Sequence, residues 1–175
     1  MCEYAKIAPV STERKASIVF GNFFLKRRSV FRDDRIALLL SDRSETDPSM
    51  GITDSWVFDI YELASRRRVG YVSLRIGESA YLYYLGHIGY RVDEPFRGHG
   101  YAGRACRLLV PLLRQMGMNS VVITNNTENT PSRRTCEKLG CELESIVPVP
   151  AGYRYACMGA TEKCRYIWRV DGMKE

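Results

Sequence analysis

The residues best suited to binding chemistry form a short loop with two glycines, Arg97-Gly98-His99-Gly100-Tyr101-Ala102, called here the glycine loop. It follows an apolar, β-like run and opens a helix-like one. Glycines permit a tight turn and a close backbone approach, and the first amides of a helix are unpaired donors at the positive end of its dipole. This placement predicts a site for a pyrophosphate. A plain strand-to-helix connection is the alternative, because a glycine pair alone is a weak signal.

The sequence around the glycine loop lacks acidic residues. No Asp or Glu occurs between Pro95 and Thr127, and that stretch holds four arginines: Arg97, Arg104, Arg107 and Arg114. A positive surface of this kind suits a polyanionic ligand. Two nucleotide-binding motifs fit this loop poorly. The dinucleotide-binding fingerprint needs an acidic residue about twenty positions further on, but no acid follows the loop until Glu128. The P-loop needs a lysine, which is missing.

Two further residues with polar chemistry, Ser132 and Cys136, lie four positions apart in a helix-like stretch, with Leu139 three positions later. This spacing puts all three on one helical face, so Ser132 and Cys136 can point into the same cleft.

The composition is that of one ordinary globular domain: 175 residues, 45% hydrophobic and 26% charged. The net charge of +6 would suit a nucleic acid, but the basic residues are dispersed in short groups, such as 26–28 and 66–68, that solvated turns explain equally well. We therefore expect no nucleic-acid partner.

Six cysteines without a C-x-x-C pair, and only two histidines, predict no metal site. The one apolar run that resembles a signal core, residues 16–25, is too short to span a bilayer and leads into three basic residues. These patterns predict a soluble, cytoplasmic protein with reduced thiols and no membrane partner.

Hydrophobic periodicity predicts an α/β domain over residues 34–175, after a segment of uncertain structure, residues 1–33, in which a helix is weakly favoured. A polar loop is expected from Ser41 to Thr53. Apolar and β-branched runs predict seven strands, at 36–40, 56–63, 69–76, 81–92, 121–123, 141–147 and 164–170.

Two helices are predicted, over 100–116 and 131–139. Pro111 should kink the first, because proline lacks the N–H that a helix interior needs. The second begins with a proline after a cap at Asn129 or Thr130 and ends before a glycine. The strand before the first helix and the strand after it form a predicted βαβ unit.

Several separated motifs together resemble the GCN5-related N-acetyltransferases (GNAT superfamily). The glycine loop is similar to the family's R/Q-x-x-G-x-G/A loop, and Asn129-Thr130-Pro131-Ser132 with Glu137-Lys138-Leu139-Gly140 resembles the branch that includes the ribosomal-protein N-terminal acetyltransferases. Gly86-His87-Ile88-Gly89-Tyr90 and Arg165-Tyr166-Ile167-Trp168 are similar to a group of uncharacterised bacterial acetyltransferases. The resemblance implies a mixed, mostly antiparallel sheet with one splayed parallel pair and helices on both faces.

The resemblance also implies that acetyl-CoA is the co-substrate. It places the pantetheine arm along the backbone near Val92, puts Asn129 and Ser132 on the cofactor, and uses a backbone amide near Tyr90 to stabilise the oxyanion. It places the pyrophosphate on the backbone amides of the whole glycine loop: Arg97, Gly98, His99, Gly100, Tyr101 and Ala102.

Acetyl transfer to an amine needs a neutral amine, a stabilised oxyanion and a proton for the departing thiolate. His87 is the candidate base, because an unperturbed histidine has a pKa of about 6.5. A buried structural histidine is the equal alternative, and Glu78 and Glu94 are reserve candidates. Many family members protonate the thiolate with a Tyr seven positions after the Asn, where this chain has Cys136. Cys136 is either a proton donor or, as we expect, buried filler, with Ser132 or water delivering the proton.

The acceptor is a primary amine whose identity stays open among small amines, amino acids, antibiotics and peptide N-termini; a homodimer also stays open. Many members wall the acceptor site with two helices before the second strand, but only about a dozen loop residues lie there in this chain. Either residues 1–33 supply that wall or the site is unusually open. The missing Tyr supports an alternative function, an acyl-CoA-binding sensor with little or no turnover.

Overall fold

A computed structural model of the protein describes residues 30–44 and 48–171. The helix expected within residues 1–33 falls before residue 30 and so lies outside the described residues. Eight strands are present: β1 Val30–Arg32, β2 Ile36–Ser44, β3 Ile52–Glu62, β4 Arg68–Gly77, β5 Ile88–Val92, β6 Ser120–Asn126, β7 Glu142–Pro148 and β8 Glu162–Arg169. Four α-helices accompany them: α1 Ala80–Leu85, α2 Tyr101–Leu108, α3 Val110–Gln115 and α4 Thr130–Leu139.

The strands form one sheet in the order β1-β2-β3-β4-β5-β6-β8-β7. Every neighbouring pair is antiparallel except β5 and β6, which are parallel and joined by the crossover through α2 and α3. The register of that parallel pair holds only Ile88 opposite Ile123, so the two strands separate towards the carboxyl end of β5. The predicted fold is confirmed, including the βαβ unit with its splayed parallel pair.

The hydrophobic core lies between one face of the sheet and helices α2, α3 and α4. Alternation along β3 buries Trp56, Phe58 and Ile60 on this face, and Leu109 and Leu113 complete the core from the helices. Neighbouring positions of β6 point to opposite sides of the sheet: Asn125 contacts α4, whereas Val122 lines a cavity with Leu82 of α1. Helices therefore cover both faces, as the resemblance implies.

The long strand expected over 81–92 is wrong in its first half, which forms α1 instead. The side chain of Ser79 accepts a hydrogen bond from the Leu82 N–H at 3.2 Å and caps this helix. Gly86, with φ +78°, ends it, and a Cβ at this position would lie 3.0 Å from the backbone nitrogen of Thr124. Local capping therefore overrides the β propensity of the tyrosine-rich run, and Gly86 ends the helix.

The polar loop expected from Ser41 to Thr53 is also shorter than predicted, because β2 continues to residue 44 and β3 starts at Ile52. Cross-strand polar contacts extend the pairing: Arg43 bonds Asp54 at 3.0 Å, and the Ser41 hydroxyl donates to the carbonyl of Val57 at 3.0 Å.

The helix expected over 100–116 is broken into α2 and α3 at Leu109. Pro111 lies in the first turn of α3, where its missing N–H costs least. The predicted disruption at this proline is confirmed. No helix in the part of the chain that the structure describes is long and apolar enough to cross a membrane.

Candidate functional site

The glycine loop joins the end of the splayed strand β5 to the start of α2. Gly98 (φ +83°) and Gly100 (φ +76°, ψ 12°) both adopt left-handed backbone conformations, and neither has an atom within 4 Å of where a Cβ would lie. Glycine is therefore required at these two positions because of the positive φ angles, and not because a side chain would lack room. Residues 97–100 are exposed, and Gly100, at the N-cap of α2, has no side chain to satisfy the first amides of that helix. These amides remain open to an external anion.

Side chains of the glycine loop brace it from within. Arg97 donates from Nε to the carbonyl of Val92 at 3.2 Å, which ties the loop to the end of β5. The His99 ring stacks on Tyr101 with ring centroids 5.5 Å apart. Tyr101 is buried, and its hydroxyl donates to Glu62. Ala102 follows in the first helical turn. The loop thus offers backbone amides on a supported frame.

The charge around the loop is less positive than the sequence suggests, because other elements bring carboxylates to it. Arg104 pairs with Asp33 and Asp34, both at 2.7 Å, so its charge is largely compensated. Glu62 reaches the loop through the Tyr101 hydroxyl, and hydrogen bonds from Ser65 and Tyr101 lower the pKa of this carboxyl. An acid-free stretch of sequence therefore does not make an acid-free surface.

Four side chains meet where β5 and β6 separate, and we call them the cleft cluster: Tyr90, Asn125, Ser132 and Cys136. The Tyr90 hydroxyl lies 2.9 Å from Ser132 Oγ, 3.2 Å from the carbonyl oxygen of Ser132 and 3.9 Å from Cys136 Sγ. Ser132 Oγ donates to Asn125 Oδ1, and Asn125 Nδ2 donates to Cys136 Sγ at 3.3 Å. The cluster is one connected network of polar groups.

The capping of α4 positions two members of this cluster. Asn129 Oδ1 accepts a hydrogen bond from the Ser132 N–H at 3.2 Å, which fixes the first turn and leaves the Asn129 amide nitrogen as the group available to a ligand. At the other end, Gly140 is left-handed and the Cys141 N–H bonds the Cys136 carbonyl at 3.0 Å. This Schellman ending brings the side chains of Cys136 and Cys141 together.

Two groups of the cleft cluster have shifted pKa values. Burial is the main cause that raises the pKa of the Tyr90 hydroxyl, which therefore stays protonated. The Cys141 thiol, by donating a hydrogen bond, is the main cause that lowers the pKa of Cys136 to about 7. A thiol with this pKa exists in both its protonated and its ionised form near neutral pH.

His87 lies apart from the cleft cluster, next to the cavity on the α1 side of the sheet. That cavity has a volume of about 210 Å³ and is lined by Glu78, Leu82, Val122, Arg165 and their neighbours. Nδ1 of His87 accepts the N–H of Val122 at 3.1 Å, and the ring also hydrogen-bonds the backbone of Gly77. Burial lowers the pKa of His87 and keeps the ring neutral. The lone pair that a base would use is engaged, so these contacts favour the structural alternative.

We expect His87→Asn to remove a pH dependence of stability. Because folding lowers the pKa of His87, the unfolded chain takes up the proton more readily, and the wild-type free energy of unfolding falls as pH drops below about 6.5. One such group contributes at most about 1.4 kcal/mol per pH unit. The Asn Oδ1 can replace Nδ1 as the acceptor for Val122, so the variant should fold. Urea unfolding at several values between about pH 5 and 7.5 measures the slope.

His99→Asn is the matched control, since it removes the only other histidine from an exposed position. It should keep the wild-type slope. The opposite result would contradict this expectation. If the free energy of unfolding of His87→Asn keeps the wild-type dependence on pH, but its pH–rate profile loses the rising limb, then His87 is the base rather than a structural residue.

The structure brings the side chains of Tyr90, Ser132 and Cys136 together. The glycine loop and Val92 lie at and beyond the carboxyl end of β5. His87, which precedes β5, lies apart from both of these groups. Asn125, which links Ser132 to Cys136, is absent from the sequence-based candidates. Its only sequence signal is its place in a polar end of an apolar strand. Within residues 30–44 and 48–171, no group of three or more His, Cys, Asp or Glu side chains is arranged to hold a metal ion.

A family model described as an acetyltransferase (GNAT) domain matches residues 32–142, more than half of the chain. No curated protein matches the sequence. Among solved structures, the ribosomal L7/L12 alpha-N-protein acetyltransferase RimL is 16% identical and superimposes with a TM-score of 0.58 over 83% of this chain and 100% of its own.

Two other solved structures are similar over shorter stretches. The ribosomal-protein-S5-alanine acetyltransferase of Vibrio fischeri is 18% identical, with a TM-score of 0.53 over 69% of this chain and 64% of its own. The microcin C7 self immunity acetyltransferase MccE, in complex with acetyl-CoA and AMP, is 21% identical, with a TM-score of 0.50 over 66% of this chain and 61% of its own. The chain thus spans less than two thirds of these two proteins. At such identities the likeness establishes the fold alone.

Proposed function

The chain belongs to the GNAT acetyltransferase family, and we propose that it transfers an acetyl group from acetyl-CoA to a primary amine by direct attack of the amine on the thioester. The observation that carries this proposal is the row of open amides at the start of α2, directly after the strand that separates from β6. Such amides favour a pyrophosphate. The strand β5 leads from them to the cleft cluster, in the direction that the resemblance implies for pantetheine.

Each candidate residue then has a stated task. The glycine loop holds the pyrophosphate, the Asn129 amide nitrogen contacts the cofactor, and a backbone amide near Tyr90 receives the oxyanion. As the amine attacks and the carbon–sulfur bond breaks, the thiolate takes a proton through Ser132 or water. Cys136 fills space beside them.

Three side chains are candidates for the general base. His87 accepts the Val122 N–H, whereas the exposed Glu78 lines the same cavity and Glu94 lies beside the glycine loop. Of the reserve candidates, Glu78 is the better placed to take a proton from an amine that enters on the α1 side, directly or through water.

For the acceptor, we propose a peptide N-terminus or a small amine. The names of RimL and of the Vibrio fischeri protein denote acetylation of ribosomal proteins, which supports the first. We also propose that residues 34–175 act as one domain and that the protein is cytoplasmic. Five described cysteines are free thiols, as a reducing compartment requires.

The expected result of the direct test is thiol release from acetyl-CoA that depends on an added primary amine. Purified protein is incubated with acetyl-CoA and a panel of amines, amino acids and N-terminal peptides, with thiol release followed by a chromogenic disulfide. Mass spectrometry of the acceptor should show one added acetyl group. The same acceptors with the amine already acetylated are the matched controls and should give no release.

Binding of acetyl-CoA without thiol release on any member of the panel would contradict the proposal. That outcome would favour the acyl-CoA sensor, for which the observation is Cys136 in the position where relatives carry a proton-donating Tyr.

A further inference from the structure

Arg75 is a cation without a carboxylate partner, on the sheet face opposite the core. It lies on β4, next to His87 of the neighbouring chain segment, whose carbonyl accepts the Arg75 N–H at 2.8 Å. Its side chain is partly buried, and Nη1 donates to the carbonyl of Gly86 at a long 3.4 Å. No carboxylate oxygen of residues 30–44 and 48–171 lies within 4.0 Å of its nitrogens.

Several other arginines of the described residues pair with acids, although the partly buried Arg133 does not and donates to the Tyr166 hydroxyl and the Thr127 carbonyl instead. Four arginines reach a carboxylate within 3.0 Å: Arg43, Arg68, Arg104 and Arg165. Asp59, which lies across from Tyr71 on the same sheet face as Arg75, is held by Arg68 at 2.7 Å. Within residues 30–44 and 48–171, no carboxylate pairs with the positive charge of Arg75, although partial burial of an unpaired charge is unfavourable. Burial indeed lowers the pKa of Arg75 from its ordinary value.

A glycine keeps the space over β5 open for this guanidinium. A Cβ at Gly89 would lie 3.0 Å from Ser73 Oγ and 3.1 Å from Arg75 Nη2, closer than side chains normally approach. Gly89 directly precedes Tyr90, where the resemblance places the oxyanion-binding amide. The guanidinium therefore lies on the α1 side of the sheet, from which the amine is proposed to enter, over the residue that precedes Tyr90.

We propose that Arg75 binds a carboxylate that the acceptor carries close to its amine. This inference rests on the proposed acetyl transfer and narrows its acceptor class. A planar guanidinium holds a carboxylate through two parallel hydrogen bonds, which orients the acceptor as well as attracting it. The Ser73 hydroxyl, which also borders Gly89, is a further donor for the same group. Either the α-carboxylate of an amino acid or an acidic side chain near a peptide N-terminus supplies this chemistry.

The test compares acceptors that differ only in charge. One arm pairs amino acids with their carboxamides, and the other pairs peptides that carry Asp or Asn at the second position. In one of the two arms, the wild-type KM for the carboxylate member of a pair should be at least about tenfold lower than the KM for the uncharged member. A difference of this size corresponds to one charge-assisted hydrogen bond. Arg75→Gln should reduce that preference to within about twofold while kcat/KM for the uncharged partner is kept. Arg75→Lys, which keeps the charge without the planar fork, should fall between.

Arg91→Gln is the matched control, because it removes an equal charge from an exposed position of the adjacent strand, across from Tyr71. It should retain the wild-type preference. The proposal is overturned if the wild type shows no preference in either arm, if Arg75→Gln keeps the preference, or if Arg91→Gln abolishes it equally.

Equilibrium binding separates this test from the proposed function. N-acetylated forms of the same acceptor pairs are titrated by NMR into wild-type protein saturated with CoA, a measurement that needs no turnover. Tighter binding of the carboxylate member, lost in Arg75→Gln, supports the site even if no amine gives thiol release; equal binding of both members overturns it.

Discussion

Gly100→Glu is expected to weaken acetyl-CoA binding at least about 100-fold, about 2.7 kcal/mol, while the protein remains folded. The new carboxylate would stand at the open amides of α2, where the pyrophosphate is proposed to bind, and like charges at close range repel by several kcal/mol even near a protein surface. Isothermal titration calorimetry with acetyl-CoA measures the loss. Circular dichroism and thermal unfolding report on the fold.

The chain offers a control with nearly the same backbone. Gly117 is exposed, has φ +73° and has open space around its would-be Cβ, as Gly100 does with φ +76°. Gly117→Glu therefore carries the same charge and the same strain of a left-handed side chain, about 1–2 kcal/mol. It follows α3 rather than preceding α2, so its affinity for acetyl-CoA should match the wild type. Wild-type affinity in a folded Gly100→Glu protein would remove the glycine loop from the site.

Much of the local structure could be predicted because short-range signals agree with the fold. In α4 the cap at Asn129, the proline that follows and the stop at Gly140 all act within one helix, and the structure confirms the prediction. The hairpin of β3 and β4 has similarly consistent alternation. Two local signals compete in residues 81–92: the β propensity of the tyrosine-rich run and the helix cap at Ser79. The first predicts a strand, but the structure shows that the cap prevails and that a helix forms.

Features that join distant parts of the chain could not be predicted. Asp33 and Glu62 approach the glycine loop because the fold places the start of β2 and the end of β3 next to α2. There Asp33 pairs with Arg104 and Glu62 accepts a hydrogen bond from Tyr101. Among the described residues Arg75 has no carboxylate within 4.0 Å, although Glu78 lies three positions away in the sequence, and no spacing in the sequence reveals this. The side chain of Tyr90 shows the same limit: the sequence assigns this residue only a backbone contribution, whereas its hydroxyl also reaches Ser132 of α4, 42 residues later.

The contact between the Tyr90 hydroxyl and α4 bears on position 136, where the resemblance implies a tyrosine and this chain has a cysteine. Cys136 is fully buried, with 0% exposure, and the Tyr90 hydroxyl lies 3.9 Å from its sulfur. A tyrosine at position 136 would compete for the space that the Tyr90 side chain fills. Where the resemblance implies a tyrosine hydroxyl on the helix, this chain has the hydroxyl of Tyr90 on β5, next to Ser132.

Ser132→Ala is expected to slow the chemical step about 100-fold, the lower range for loss of a group that transfers a proton, with acetyl-CoA affinity nearly unchanged. The Ser132 hydroxyl connects Tyr90 to Asn125, so its removal interrupts the cleft cluster at its centre. Cys136→Ala, in contrast, should leave the rate within about twofold and reduce stability by about 1 kcal/mol through a small cavity. Single-turnover kinetics with saturating acetyl-CoA isolates the step.

Thr135→Ala is the matched control, because Thr135 also lies on α4 and its hydroxyl donates only to the Pro131 carbonyl, at 3.0 Å, away from Tyr90. Its rate should equal the wild type. A large loss in Cys136→Ala with Ser132→Ala unaffected would assign the proton to the thiol. We expect the opposite result, because the Tyr90 hydroxyl lies 2.9 Å from Ser132 Oγ but 3.9 Å from Cys136 Sγ.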